Sequence, residues 1–132
     1  MKGINKELDD ACRAYIKRRD NYTCSWCGES ELVGRNCQWA HIIPRSNGFR
    51  LRWHPRNSMC MCFGCHEKRW HESGEGRLWF DNTFPEEIEF LLDQKALNTL
   101  KFTKSDKEEL LAAFENDDPY TWFEDFLGKE KS

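Results

Sequence analysis

No apolar run in this chain reaches the roughly 18 residues a membrane-spanning helix needs, so a soluble, cytoplasmic protein is expected and an integral membrane protein is not. Internal repeats and low-complexity tracts are also missing, which excludes solenoids and long flexible linkers. No secretory leader is expected at the start, and without one a disulfide framework is the weaker explanation of the seven cysteines. At 132 residues the chain fits a single domain with one substantial core. Acidic side chains nearly vanish from residues 35–71, where seven Lys and Arg face Glu67 alone. Residues 1–34 balance six cations against six anions, and residues 72–132 carry seven against sixteen, so the net charge of −3 conceals a basic middle. Clustered cations inside an acidic chain suit a localised polyanion site; the alternative is a merely solvated surface.

The cysteines that are present are paired. Cys24 and Cys27 form one Cys-x-x-Cys, Cys62 and Cys65 another, with 34 residues between them. Four thiolates so spaced can close one tetrahedral site, and a structural Zn²⁺ is the expected occupant. The remaining Cys12, Cys37 and Cys60 read as reduced, buried thiols. All four histidines, His41, His54, His66 and His71, fall in the basic middle.

Hydrophobic periodicity gives the surrounding elements. Ile4, Leu8, Ala11, Cys12, Tyr15 and Ile16 recur at helical steps, and Lys17, Arg18 and Arg19 follow where a helix C-terminus favours cations. Cys37 to Ile43 reads as a strand ended by Pro44, Asn57 to Met61 as a second, and Phe63 to Glu72 as a helix. Between them Phe49-Arg50-Leu51-Arg52-Trp53 alternates apolar and basic residues, and Gly28 suits a tight turn after the first cysteine pair. Beyond residue 72, Pro85 opens a helix whose apolar face is Ile88, Leu91, Leu92, Ala96 and Leu100. Ser105 and Glu108 form a capping box for the next helix, and Asp118-Pro119 starts a last one bearing Trp122, Phe123, Phe126 and Leu127.

The run Ala40-His41-Ile42-Ile43-Pro44-Arg45, then Asn57, then Cys62-x-x-Cys65-His66, resembles the zinc-stapled HNH endonucleases of the ββα-metal, or His-Me finger, superfamily. The lead-in from Arg18 to Gly28 is similar too, and a weaker similarity through Leu51-Arg52 and Gly74 extends to the NinG/Rap group of phage recombination nucleases. The resemblance implies an α+β fold: a zinc-stabilised ββα-metal (HNH) module at residues 21–72, an N-terminal helix at 1–20 and a helical extension at 73–132. It implies a metal-dependent endonuclease acting on DNA, including branched or recombination DNA of a phage, and working in the host cytoplasm if phage-encoded. His41 is then the general base, Asn57 holds the loop that orients it, and His66 is a ligand of a catalytic Mg²⁺ or Mn²⁺. Many family members carry Asp or His before the base as a second ligand; this chain has Ala40, which leaves His71 as a further candidate.

Other readings stay beside these. His41 is either the base or a satisfied histidine, His66 either a catalytic ligand or a substitute zinc ligand beside Cys65, and Asn57 either a loop clamp or a turn residue. Arg45, Arg50, Arg52 and Arg56 are the expected phosphate contacts, because guanidinium forks match phosphate oxygens. His54 is expected at the surface. Trp26, Trp39, Trp53 and Trp70 are expected in the core, with stacking on unpaired bases as the alternative. The function alternative is a catalytically inactive zinc module that binds nucleic acid or protein. The C-terminal helices either pack on the module or serve a protein partner or self-association.

Overall fold

Residue by residue, the computed structural model describes positions 3–44, 49–97 and 101–129, with only the backbone of Phe49, Arg50 and Lys129. Helix α1 spans Ile4–Arg19, strand β1 Gln38–His41, the single turn α2 Phe49–Arg52, and strand β2 Ser58–Met61. A wide π-helix covers Gly64–Glu72, followed by α3 Glu75–Thr83, α4 Pro85–Ala96, α5 Lys104–Glu115 and α6 Pro119–Lys129. The architecture is α+β, many helices around one two-stranded antiparallel sheet. No helix among the described residues is long and apolar enough to cross a membrane.

The register pairs Gln38 with Met61, Trp39 with Cys60, Ala40 with Met59 and His41 with Ser58. Alternation along β1 therefore puts Gln38 and Ala40 on one face and Trp39 and His41 on the other. Ala40 is buried in the core, and β2 is buried at every position.

Two apolar clusters form the core among the described residues. One gathers Ile42, Ile43, Leu51 and Met61 around the cysteine pairs, together with Phe80, Ile88 and Leu91 of α3 and α4. The other joins Leu8, Cys12, Tyr15 and Ile16 of α1 to Trp53, Phe102, Leu110, Phe114 and Phe123. The stretch beyond residue 72 thus divides between the clusters: α3 and α4 back the cysteine-bearing half, and α5 and α6 pack on α1.

Polar staples join α1 to the rest. Buried Asp9 accepts from Arg52 Nε (3.0 Å), Arg52 Nη2 (2.6 Å) and Trp53 Nε1 (2.8 Å). Arg19 donates to the carbonyls of Pro55 (2.6 Å) and Ser58 (2.8 Å), to the Tyr120 hydroxyl and to Asp20. Burial opposes the Arg19 charge, but the Asp20 carboxylate and Tyr120 outweigh it and hold the guanidinium protonated. Asp20 in turn accepts from the backbone N–H of Cys60 at 2.8 Å.

Several expectations change here. His54 is buried, not superficial: its Nδ1 accepts from Arg56 N at 3.1 Å and caps the turn that Pro55 opens, while its ring packs on Phe123. The capping box of α5 is Thr103 with Asp106, two residues before the expected Ser105 with Glu108, and Phe102, seated in the α1 cluster, fixes where the helix starts. On α4, Leu92 is exposed, and Leu100 lies outside the described residues. Trp53 is wholly buried as expected, whereas Trp26, Trp39 and Trp70 are only partly so.

Candidate functional site

The cysteine pairs converge. The sulfurs of Cys24, Cys27, Cys62 and Cys65 all lie within 4.8 Å of one another, close enough to bind one structural metal ion such as zinc. Cys27 Sγ and Cys62 Sγ are 3.8 Å apart. Two sulfurs at tetrahedral positions about 2.3 Å from a zinc ion would be separated by about 3.8 Å, so the donor set fits the ion. Each pair sits in the same kind of turn. Cys27 N and Gly28 N point at Cys24 Sγ and O (3.5 and 3.0 Å), and Cys65 N and His66 N point at Cys62 Sγ and O (3.5 and 3.0 Å). Gly28 takes φ +82°, a left-handed value that glycine adopts without strain. Ser25 N donates to Cys60 O at 2.9 Å and fastens the first turn to β2.

The electrostatics of the four thiols suit a divalent cation. Burial raises the Cys24 thiol, but N–H groups of Cys27, Cys62 and Trp26 aimed at its sulfur lower it further, to about 7. Burial and neighbouring thiols push Cys62 and Cys65 upward. One thiolate forms readily and resists the next, a repulsion that a divalent cation removes.

Beside this cluster lies a cavity of about 670 Å³ lined by His41 from β1, by His66 and His71 from the π-helix, and by Arg13 and Lys17 from α1. The three candidate histidines of the sequence, His41, His66 and His71, therefore share one cavity. His41 Nε2 donates to the Arg52 carbonyl at 2.9 Å, which leaves the lone pair of the neutral ring on Nδ1. Its ring packs against Trp39, centroids 4.3 Å apart.

His66 Nδ1 donates to Gln38 Oε1 at 2.6 Å, directing its Nε2 toward His71, whose Nε2 is 3.0 Å away. Burial first, and then the neighbouring His71, lower the His66 pKa, while Glu67 opposes them, so the ring is held toward its neutral, lone-pair-bearing form. In an α-helix, residues five apart point about 140° away from each other. The segment is instead a π-helix, whose turn closes between residues i and i+5, and this brings His66 and His71 to the same face.

Asn57 is fully buried. Its Oδ1 accepts from Ile43 N (2.9 Å), and its Nδ2 donates to the carbonyls of Ile43 (2.9 Å) and Leu51 (3.0 Å). One side chain thus ties together both ends of the segment between β1 and α2, next to His41. Its own carbonyl accepts from Ile42 N at 2.8 Å.

The expected phosphate contacts fare differently. Arg45 lies outside the described residues, as does the side chain of Arg50. Arg52 forms the double bond to Asp9 already described, and Arg56 forms another to Glu87, both distances 2.9 Å, with its guanidinium over Phe90. These two forks are engaged by carboxylates of the chain itself. Among the described residues the cations on the cavity wall are Arg13 and Lys17, one helical turn apart on α1; their i, i+4 spacing was visible in the sequence, but nothing there linked α1 to the histidines. Gln38, the positioner of His66, was likewise missed. Comparison with protein-family models, with curated proteins and with solved structures gives no match to this chain.

Proposed function

We propose that this chain is a metal-dependent DNA endonuclease of the HNH type, built on a zinc-stapled ββα-metal module that comprises β1, β2 and the π-helix. The observation that carries the reading is that His41, His66 and His71 line one cavity while Asn57 clamps the adjoining segment. His41 takes a proton from the attacking water at Nδ1, the nitrogen left basic by the bond from Nε2 to the Arg52 carbonyl. Asn57 keeps the backbone beside the base in register. Gln38 orients His66 so that its Nε2 and that of His71 present a pair of donors.

Two nitrogens about 2.1 Å from one ion and at right angles around it would be about 3.0 Å apart, the separation seen here, so the pair fits a divalent cation. A bound Mg²⁺ or Mn²⁺ supplies charge stabilisation for the phosphate and the leaving 3′ oxygen. Ala40 would add no ligand and is buried, so an ion held by His66 and His71 would need further donors from water and substrate, which a strongly hydrated ion accepts. Zinc at the four cysteines serves the fold rather than the reaction. The products are a 5′-phosphate and a 3′-hydroxyl, and branched or recombination DNA is the proposed substrate context.

The test is supercoiled plasmid and branched oligonucleotides incubated with the zinc-loaded protein in Mg²⁺ or Mn²⁺. Wild type is expected to cut, and His41→Ala to lose about 10²–10⁴-fold in rate with DNA binding retained. Equal cutting by the variant refutes the base. DNA binding without cutting in either ion favours the second reading, a non-catalytic zinc module, for which the missing ligand at Ala40 is the specific observation.

A further inference from the structure

The histidine cavity does not end at α1. A second groove, of about 780 Å³, lies along the turn after α1 and the segment that follows the first cysteine pair, and it shares Lys17 and Cys37 with the first. Lys17 therefore stands where the two meet. It forms no ion pair with any described carboxylate, unlike Arg13, which is held by Asp10 at 2.9 Å.

The lining changes character across that junction. The histidine side carries Arg13 and Lys17 together with Glu67, Trp39 and Trp70. The far side carries Asn21, Tyr22, Thr23 and Val33, with Glu31 as the one acid among its described residues. Tyr22 is 43% exposed and Val33 77% exposed, so an aromatic ring and an aliphatic side chain face solvent beside neutral hydrogen-bonding groups. A B-form duplex presents phosphates outward and calls for cations. Unpaired nucleotides add π-faces on which an exposed ring such as Tyr22 can stack, while their phosphates still need a cation, here Lys17 at the junction.

We propose that this groove receives unpaired nucleotides of the DNA strand adjoining the cleaved phosphodiester, with Lys17 holding the phosphate at the junction. The substrate class is thus DNA with a single-stranded flank, such as an overhang, a flap or a gap, rather than continuous duplex. This rests on the endonuclease reading for the identity of the first cavity, but the strand preference is measurable without cleavage.

The probes are fluorescein-labelled oligonucleotides of one sequence: a blunt 20-base-pair duplex, the same duplex with a 10-nucleotide single-stranded extension, and the extension alone. Binding is followed by anisotropy in Ca²⁺, with zinc content and circular dichroism checked for each variant. Wild type is expected to bind the extended duplex at least tenfold more tightly than the blunt one. Tyr22→Asn with Val33→Ser, an exposed pair in which Asn tolerates the left-handed backbone (φ 51°) of position 22, is expected to erase that preference and leave blunt-duplex affinity unchanged. Lys17→Gln is expected to weaken binding of all three probes and reduce the slope of log K against log salt by about 1. Equal wild-type affinity for blunt and extended duplex overturns the proposal, and so does a full preference surviving in the double variant. If the preference appears but Mg²⁺ and Mn²⁺ yield no cutting, the groove stands and the nuclease reading falls. If both duplexes are cut at one rate, the nuclease reading stands and the groove falls.

Discussion

Replacing Asn57 by Ala tests the clamp beside His41. The amide makes three hydrogen bonds, all to backbone groups of Ile43 and Leu51, and the side chain has no exposed surface. A typical internal hydrogen bond contributes about 1 kcal/mol net, and a buried group stranded without a partner costs about 1–3 kcal/mol. Truncation strands one N–H and two carbonyls and opens a small void. Backbone relaxation offsets part of this cost, so a loss of about 3–4 kcal/mol is expected, equivalent to a 10²–10³-fold smaller folding constant. With a urea m-value of about 2 kcal/mol/M for a chain of this size, the midpoint should fall by about 1.5–2 M. The assay is equilibrium urea unfolding of zinc-loaded protein followed by tryptophan emission. Asn57→Asp should be no better than Ala, because a carboxylate can still accept from Ile43 N but faces two carbonyls with nothing to donate. A midpoint shift below about 0.5 M for Asn57→Ala would refute the reasoning, since it would mean that the three bonds are replaced without cost.

Other outcomes follow from the same geometry. Purified protein should contain about one zinc per chain, and a chelator should abolish cooperative unfolding, with Cys65→Ser reproducing the chelated state; a sharp transition in the zinc-free chain would count against a structural ion. A Cβ at Gly76 would overlap the ring of Trp70, which lies on the π-helix between His66 and His71, so Gly76→Ala should cost about 1–3 kcal/mol and disturb the histidine pair; an unchanged unfolding midpoint would contradict the packing. Because the folded state holds His66 below its ordinary pKa of 6.5, the unfolded chain binds more protons in the window beneath that value, and stability should fall as pH drops through it. His66→Gln should flatten that part of the profile, and an unaltered slope between pH 7 and 5 would assign the protons elsewhere.

What the sequence disclosed and what it hid divide along a physical line. The cysteine pairs and the amphipathic face of α1 are local patterns whose spacing dictates geometry, so four sulfurs converging and Leu8, Cys12 and Ile16 buried were readable in advance. The positions of β1 and β2 were readable for the same reason. His71 was a candidate partner of His66 from the sequence, but their facing geometry was not readable, because residues five apart diverge on an ordinary helix and a π-type turn leaves no reliable mark in composition. The partners of Arg52 and Arg56, Asp9 and Glu87, lie 43 and 31 positions away, and no local rule pairs charges over such distances. The burial of His54 depended on α4 and α6, whose Phe90 and Phe123 enclose it. At α5 two capping boxes competed in neighbouring frames, and the burial of Phe102, a tertiary event, chose between them.

The cluster that unites residues of α1 with those of α5 and α6 has a consequence for biogenesis. A chain emerging from the ribosome exposes Leu8, Tyr15 and Ile16 long before Phe114 and Phe123 exist to cover them. Closing a loop of that length is slow compared with the short-range pairing of β1 with β2, so the two halves should mature at different times. During that interval the uncovered face of the first helix is a point of exposure to chaperones and to aggregation.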